Sequence, residues 1–329
     1  MILCADARAL PLKDESVQMC VTSPPYWSLR QYQVEGYQIG QEKTPEEYVS
    51  VLRDVFLEVR RVLHPSGILW MNIGDCFYNG DRGGYAKDRV KAMDSKQASN
   101  LGANFIGAPN RMPQPGLKPK DLVGIPWRVA FALQADGWWL RQEITWCKPN
   151  GMPSSVTDRP SSATEKLFLF SKSERYFYDH KAVRMPPAEA SIRRWDQYLE
   201  GQRGSDRAND GGKTNGPMKA VGGPSRKDKQ RGHSRRHAGF NDRWDGMTRE
   251  EQMACGANLK NWWVIATARS SDPHYAVMPE DMARICILAG SRPGDVVLDP
   301  FGGSGTTSKV ALELGRKPVH IDLGYHDLA

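Results

Sequence analysis

The sequence lacks the patterns that mark several common classes of protein. Its six cysteines include no Cys-x-x-Cys pair, so neither a cysteine zinc site nor a disulfide framework is indicated, and we expect no metal. No proline is followed by cysteine, which excludes the Pro-Cys nucleophile of enzymes that methylate carbon 5 of cytosine. No apolar run reaches membrane-spanning length, and the first residues lack the basic and apolar regions of a signal peptide. We therefore expect a cytoplasmic protein with no membrane partner.

The length and charge of the chain set broad limits on its architecture and partners. A chain of 329 residues with 40% hydrophobic residues can bury a full core, as one large α/β domain or one domain with a substantial insertion. Its formal net charge of +7 permits a polyanionic partner without requiring one.

Apolar patterns predict alternating strands and helices, so the sheet is expected to be largely parallel. The first long helix has the clearest start, because Thr44 suits the N-cap, Pro45 the first helical position and Glu47 a capping box. Strands are predicted at 2–5, 17–21, 68–73, 138–146 and 318–321, with a further buried strand from 296 and regular structure at 259–265. Helices are predicted at 45–63, 126–135, 279–289 and 306–314, and a hairpin at 166–178.

Two polar segments interrupt this pattern. Residues 79–120 are rich in Gly, Asn, Gln, Pro and Lys, and are predicted to be disordered or ordered by a ligand. Residues 181–251 contain sixteen Lys or Arg against ten Asp or Glu, which accounts for nearly the whole surplus of positive charge.

The hexapeptide Thr22-Ser23-Pro24-Pro25-Tyr26-Trp27 is the first candidate site, because it is predicted to lie where a buried strand opens into a loop. Two successive prolines remove two N–H donors and stiffen the corner, so its carbonyl oxygens can only accept hydrogen bonds. An exocyclic amine of a nucleobase offers two N–H bonds, which the Ser23 hydroxyl and the Pro24 carbonyl can accept. Tyr26 adds a ring on which a flipped base can stack. Ser-Pro-Pro-aromatic also occurs in ordinary turns.

A second motif near the end of the chain combines a strand, a glycine-rich turn and the start of a helix. Its glycines allow close approach of a ligand, and the first helical N–H groups can bind an anion. It is not a phosphate loop, and Ser308 replaces the third glycine of the dinucleotide fingerprint. Asp322 ends the next strand, either as an acceptor for ribose hydroxyls or as a solvated strand end. The motif reads Asp299-Pro300-Phe301-Gly302-Gly303-Ser304-Gly305-Thr306.

Together the two motifs resemble the amino-group DNA methyltransferases of bacteria and their phages, in the permuted (β-type) arrangement where the catalytic motif comes first. The resemblance covers most of the chain outside the two polar segments, and includes residues 116–127, 148–153, 172–173 and 274–280. It implies an α/β fold of the S-adenosylmethionine-dependent methyltransferase (Rossmann-like) type. The fold would be circularly permuted and mostly parallel, with the first strand beside the last and an inserted target recognition region.

The resemblance also implies roles for individual residues. Asp6 would bind the adenine ring of S-adenosylmethionine and Asp322 its ribose, while the turn from Asp299 to Gly305 would bind its methionine portion, and Thr306 is a further expected cofactor contact. Thr164-Glu165 stands where the family often has His-Glu, and Asp322 where it more often has Glu. The implied catalytic residues are Ser23, Pro24, Pro25 and Tyr26.

The chain is accordingly predicted to comprise a catalytic half (1–180), a target recognition insert (181–256) and a cofactor-binding half of the same domain (257–329). In the insert, Lys and Arg can neutralise phosphates of double-stranded DNA, although a solvated insert is the alternative. The residues expected to contact DNA are Arg226, Lys227, Lys229, Arg231, Arg235 and Arg236.

The predicted reaction is methyl transfer from S-adenosylmethionine to the N4 amine of a flipped-out cytosine. Family members acting on cytosine mostly carry Ser at the position of Ser23, whereas those acting on adenine mostly carry Asp or Asn. Methylation of the adenine N6 amine is the alternative, followed by methylation of RNA or a protein amide and by a non-catalytic regulator that binds nucleic acid. A homodimer and a cognate restriction endonuclease are left open as partners.

Overall fold

The computed structural model describes residues 1–29, 38–80, 109–151, 153–187, 189, 247–248, 250–251, 255–268 and 277–323. The chain divides into two compact units, one made of Met1–Asp179 and Lys260–Ala329, the other of His180–Leu259. The strands of the first unit are β1 (Ile2–Cys4), β2 (Val17–Thr22), β3 (Leu63–Ile73), β4 (Trp139–Cys147), β5 (Thr164–Ser171), β6 (Trp262–Val264), β7 (Val296–Asp299) and β8 (Lys317–Asp322). Its helices are α1 (Pro45–Val62), α2 (Ile125–Ala135), α3 (Glu280–Gly290) and α4 (Thr306–Glu313).

The eight strands form one mixed sheet in the order β1-β8-β7-β2-β3-β5-β4-β6. Only the two pairs made by β5 are antiparallel, so the prediction of a mostly parallel sheet is confirmed. The first strand lies beside the last, with Ile2 opposite His320 and Cys4 opposite Asp322. This neighbourhood of the chain ends is the one that the permuted arrangement implies.

Helix α1 begins at the predicted cap Thr44, but the second bond of the predicted capping box goes to the N–H of Lys43 instead of to that of Thr44. The Thr44 hydroxyl accepts a hydrogen bond from the Glu47 N–H at 3.1 Å, and the Glu47 carboxylate accepts one from the Lys43 N–H at 2.9 Å. One face of the helix is fully buried, and burial of each large apolar side chain stabilises the fold by roughly 1.5–3 kcal/mol. The buried side chains are Tyr48, Leu52, Val55, Phe56, Val59 and Val62.

Helices cover both faces of the sheet. Successive side chains of a strand point to opposite sides, so neighbouring residues of one strand pack against different helices. Met19 and Ile68 face Gly290 of α3, whereas their neighbours Cys20 and Leu69 join the core cluster that includes the buried face of α1. The central strands are therefore apolar on both sides, as expected for a doubly covered sheet.

Two local predictions need correction. β3 begins at Leu63, five residues early, because Leu63 already pairs with Val17 before a register shift in β2. No hairpin forms at 166–178, since β5 instead inserts between β3 and β4, and Phe177 leaves the sheet to donate its N–H to the Ser66 carbonyl at 2.9 Å. Within the polar segment 79–120, the Lys120 N–H donates to the Tyr78 carbonyl at 2.7 Å, and residues 81–108 lie outside the described residues, so its predicted disorder or ordering by a ligand stays a prediction. Among the described helices, none is both long and apolar enough to cross a membrane.

Candidate active site

Four neighbouring parallel strands end at one edge of the sheet and place the predicted site residues there. Cys4 of β1 is in register with Asp322 of β8, and Asp299 of β7 with His320 of β8. β2 ends one residue before Ser23 and lies on the other side of β7. The carboxyl ends of parallel strands are where ligands bind in such sheets. The fold thus brings two motifs from opposite ends of the chain to one edge.

The Ser-Pro-Pro corner is held by Tyr48, from outside the motif, and by Trp27, at its end. Tyr48 of α1 donates a hydrogen bond from its hydroxyl to the Pro25 carbonyl oxygen at 2.8 Å. Trp27 is buried, and its indole N–H donates to a backbone carbonyl oxygen at 2.9 Å, so this ring anchors the loop. Ser23 is half-buried, next to the buried Pro24. The corner is therefore held from two sides, while Ser23, whose hydroxyl is expected to meet the amine, is only partly buried.

Tyr26 has a fixed orientation in the structure. Its ring lies against Gly74, where an added Cβ would come within 2.6 Å of the ring, so only glycine fits there. Its hydroxyl donates to the Glu165 carboxylate at 2.7 Å and accepts from the Asn72 amide at 2.8 Å. Burial, and then the negative charge of Glu165, raise the pKa of the Tyr26 phenol well above its ordinary value. The phenol therefore stays protonated and acts as a donor toward the carboxylate.

A polar cluster continues from Tyr26 across β3, β5 and the end of β4. Lys148 forms an ion pair with Glu165, and its ammonium also lies 4.5 Å from the centroid of the Trp146 ring. Asn72 donates to Glu165 as well, at 3.1 Å, and is only 2% exposed. Asn72 had no predicted role, although a polar residue inside an otherwise apolar strand was an available signal. Lys148 belonged to a stretch shared with the family, without an assigned contact.

Asp299 organises the glycine-rich turn through contacts inside the protein. Its carboxylate accepts hydrogen bonds from the Thr22 hydroxyl at 2.7 Å and from the Phe301 N–H at 3.1 Å. Burial raises the pKa of this carboxyl, and the hydrogen bonds from Thr22, Thr307 and Phe301 oppose that rise. The residue is 5% exposed. It fixes the start of the turn and ties it to the strand that leads into Ser23.

Two adjacent glycines of this turn serve different purposes. A Cβ on Gly302 would overlap the imidazole of His320, so packing inside the protein requires glycine there. A Cβ on Gly303 would meet only the Phe301 carbonyl oxygen, at 3.9 Å, and thus points into open space. Gly303 has a φ of +48° and donates its N–H to the Asp322 carboxylate at 2.9 Å. The open side of Gly303 is where a ligand can approach the backbone.

The start of α4 completes a cradle that fits the methionine portion of S-adenosylmethionine. Gly305 precedes the helix with a φ of +79°, and no side chain caps the first helical N–H groups. These N–H groups and the positive end of the helix favour a carboxylate. Pro300, Phe301, Ser304 and Thr306 form the rest of the turn, each half-buried or exposed except for the buried Pro300.

The two outer carboxylates of the predicted cofactor site already have partners within the protein. Asp6 is held by Arg8 through two contacts. The guanidinium of Arg8 lies 2.6 Å from one carboxylate oxygen, and the backbone N–H of Arg8 donates to the other oxygen at 2.8 Å. Arg8 thereby lowers the pKa of Asp6. Asp322 accepts the Gly303 N–H described above. Their predicted contacts with adenine and ribose remain predictions, and Arg8 had no predicted role.

The six cations expected to contact DNA lie outside the described residues. They are Arg226, Lys227, Lys229, Arg231, Arg235 and Arg236. Their role remains a prediction from composition.

Comparison with known proteins decides the family. The model for DNA methylases of the N6/N4 type matches residues 17–328. The chain belongs to this DNA methylase family. It is therefore an S-adenosylmethionine-dependent methyltransferase, as the paired motifs implied.

Several relatives share nearly the whole length of this N6/N4 methylase. The type II methyltransferase M.SmaI of Serratia marcescens is 38% identical over 98% of this chain and 86% of its own length. M.Cfr9I of Citrobacter freundii is 37% identical over 97% of this chain and 81% of its own. Among solved structures, the PvuII DNA methyltransferase (cytosine-N4-specific) has a TM-score of 0.55 at 17% identity, covering 98% of this chain and 81% of that one. That structural likeness shows a common fold.

Proposed function

We propose that this DNA methylase transfers a methyl group from S-adenosylmethionine to the N4 amine of a cytosine flipped out of double-stranded DNA. The observation that carries the choice of base is Ser23, a half-buried hydroxyl at the catalytic corner. A hydroxyl is small and uncharged, whereas a carboxylate there would repel the acceptor at ring nitrogen 3 of cytosine. The adenine N6 amine is the second candidate, because the same corner can bind either amine.

The catalytic corner must overcome the weak nucleophilicity of a conjugated amine. Its lone pair is delocalised into the base, so the site has to hold the N–H bonds away from the ring plane. The Ser23 hydroxyl and the Pro24 carbonyl are the proposed acceptors for these two N–H groups. Tyr26, fixed against Gly74, supports the base. S-adenosylmethionine, when bound, supplies an electrophilic methyl group on sulfur.

The cofactor site is proposed to use the edge formed by β1, β8 and β7. Gly303 gives close approach to the backbone, and the first N–H groups of α4 bind the cofactor carboxylate. Asp6 and Asp322 are the proposed partners of the adenine ring and the ribose. Both carboxylates lie at the carboxyl ends of adjacent strands, which supports these assignments.

The basic segment 181–256 is proposed to recognise the DNA target. Its excess of Lys and Arg suits phosphate contacts, which position a protein on the duplex. M.SmaI and M.Cfr9I are named type II methyltransferases, and on that likeness we propose a cognate restriction endonuclease for this protein. A homodimer is a further proposal that sedimentation of the protein, alone and on DNA, would test.

Identification of the methylated nucleoside tests the choice of base. Unmethylated DNA would be incubated with the protein and S-adenosylmethionine carrying a deuterated methyl group, digested to nucleosides and analysed by mass spectrometry. Deuterated N4-methylcytosine is the expected product, whereas N6-methyladenine alone would refute the cytosine assignment. The variant Ser23→Ala tests the role of the hydroxyl in the same assay. Loss of one positioned hydrogen bond should slow methylation roughly 10- to 100-fold while leaving the affinity for the cofactor unchanged.

A further inference from the structure

We propose that the Lys148–Glu165 ion pair acts through Tyr26 to make the Ser23 hydroxyl a hydrogen-bond acceptor toward the substrate amine. Glu165 and Lys148 are then positioning residues, since they act through Tyr26. The inference deepens the proposed function and rests on it, because it assigns a task to groups beside the amine site.

The direction of the hydrogen bonds follows from the chemistry of their ends. An ionised carboxylate can only accept, so the Tyr26 hydroxyl must donate its proton to Glu165, 2.7 Å away. The Asn72 amide donates a hydrogen bond to the Tyr26 hydroxyl oxygen at 2.8 Å, and this bond occupies one of the two lone pairs of that oxygen. The Ser23 hydroxyl lies 3.3 Å from the same oxygen and donates to the other. With its proton committed to Tyr26, Ser23 presents lone pairs to any further partner.

An acceptor is what an amine with two N–H bonds requires at this position. A serine hydroxyl that is free to rotate could equally turn its proton toward the amine lone pair, and would then compete with the methyl group for that lone pair. The chain Ser23, Tyr26, Glu165 removes this alternative. It also fixes the tilt of the Tyr26 ring, whose hydroxyl is tied at one end while its edge lies against Gly74.

The ion pair keeps the end of this chain anionic and oriented. The side chains of Lys148 and Glu165 are only 19% and 17% exposed, so water screens little of the attraction between their charges. Asn72 donates to the same carboxylate oxygen as Tyr26, at 3.1 Å, while Lys148 binds the other oxygen. Asn72 lies on β3 and Glu165 on β5, while Lys148 follows β4, whose Trp146 is in register with Glu165.

A double-mutant cycle tests the proposal with Glu165→Gln and Tyr26→Phe. Glu165→Gln keeps shape but can donate as well as accept, and should lower the single-turnover methylation rate roughly 10- to 100-fold with unchanged affinity for cofactor and DNA. Tyr26→Phe should lower it similarly, and the double variant should be no slower than Tyr26→Phe alone. Multiplied effects, or a normal rate for Glu165→Gln, would overturn the proposal.

A matched control and a second variant separate positioning from stability. Glu143 of β4 forms a comparable half-buried ion pair with Lys166 of β5, and Lys166, as the strand neighbour of Glu165, points to the opposite face of the sheet, so Glu143→Gln should leave the rate unchanged. If Glu165→Gln fails to fold, the variant Lys148→Met takes its place in the experiment. Lys148→Met should slow methylation when it is introduced into the wild-type protein, but should cause no further slowing when it is introduced into Tyr26→Phe. Equal slowing in both backgrounds would contradict the role of Tyr26.

A readout independent of methyl transfer separates failure of this inference from failure of the proposed function. The ultraviolet absorbance of the phenolate, compared with that of Tyr26→Phe, reports the titration of Tyr26. Its pKa should fall in Glu165→Gln, because the anionic neighbour is lost, and should stay raised in Glu143→Gln. An unchanged titration in Glu165→Gln refutes the inference. A wild-type protein that shows this titration but transfers no methyl group to cytosine refutes only the proposed function.

Discussion

The hydroxyl of Thr22 donates a hydrogen bond to the carboxylate of Asp299 at 2.7 Å, across 277 residues of sequence. Thr22 is fully buried and immediately precedes the Ser-Pro-Pro corner, while Asp299 begins the glycine-rich turn. This buried contact adds a side-chain link between the strand that carries the catalytic motif and the paired strand that carries the cofactor motif.

Thr22→Val should destabilise the protein in a pH-dependent way. The variant removes one donor from a buried carboxylate, which costs roughly 1–3 kcal/mol of the free energy of unfolding. Burial raises the pKa of the Asp299 carboxyl above its ordinary value of 3.8. A raised pKa stabilises the fold at pH values below 3.8, and this stabilisation is lost as the pH rises through the pKa of the folded protein. The deficit of Thr22→Val should thus grow from acid to neutral pH. Urea unfolding at several pH values measures it, and Thr22→Ser should show no such growth.

Gly302→Ala should destabilise the protein by roughly 1–3 kcal/mol, because the added methyl group would overlap the buried ring of His320. Thermal unfolding would measure this loss. The double variant Gly302→Ala with His320→Ala should recover part of it, since the smaller side chain makes room. Additive destabilisation by the two changes would contradict the packing explanation.

Gly303→Val should abolish binding of S-adenosylmethionine. Its side chain would enter the open space beside the turn, and a branched residue is poorly tolerated at a φ of +48°. Isothermal titration calorimetry measures the affinity. Unchanged affinity would remove the turn from the cofactor site, and circular dichroism would show whether the variant is folded.

Replacing Arg226, Lys227, Lys229 and Arg231 by alanine should weaken DNA binding and flatten its salt dependence. Each lost phosphate contact reduces the slope of log affinity against log salt by about 1. The control removes the exposed cations Lys13, Arg53, Arg292 and Lys317, three of which lie at or before the amino ends of strands, opposite the site. An equal change of slope in both variants would attribute the effect to net charge instead of to this segment.

The elements around the site were largely predictable because their signals are local. The Thr44 cap and the apolar period that follows it define α1, and the apolar run before Ser23 defines β2. The hairpin failed for the opposite reason: residues 164–171 carry a strand pattern, but they pair with the preceding strand β4 and with β3, from much earlier in the chain, instead of with 176–178. Pairing between distant strands leaves no mark in the local pattern.

By itself the sequence determined the class of fold, the family and the two motifs, because turns, caps and glycine-rich loops depend on residues that are adjacent in the chain. Only the tertiary structure decided how the side chains at the site are used. It set Gly302 against His320 and gathered the Lys148–Glu165 pair at Tyr26. The physical reason is that hydrogen bonds and ion pairs extend over a few ångströms, and the register of distant strands fixes which residues come that close.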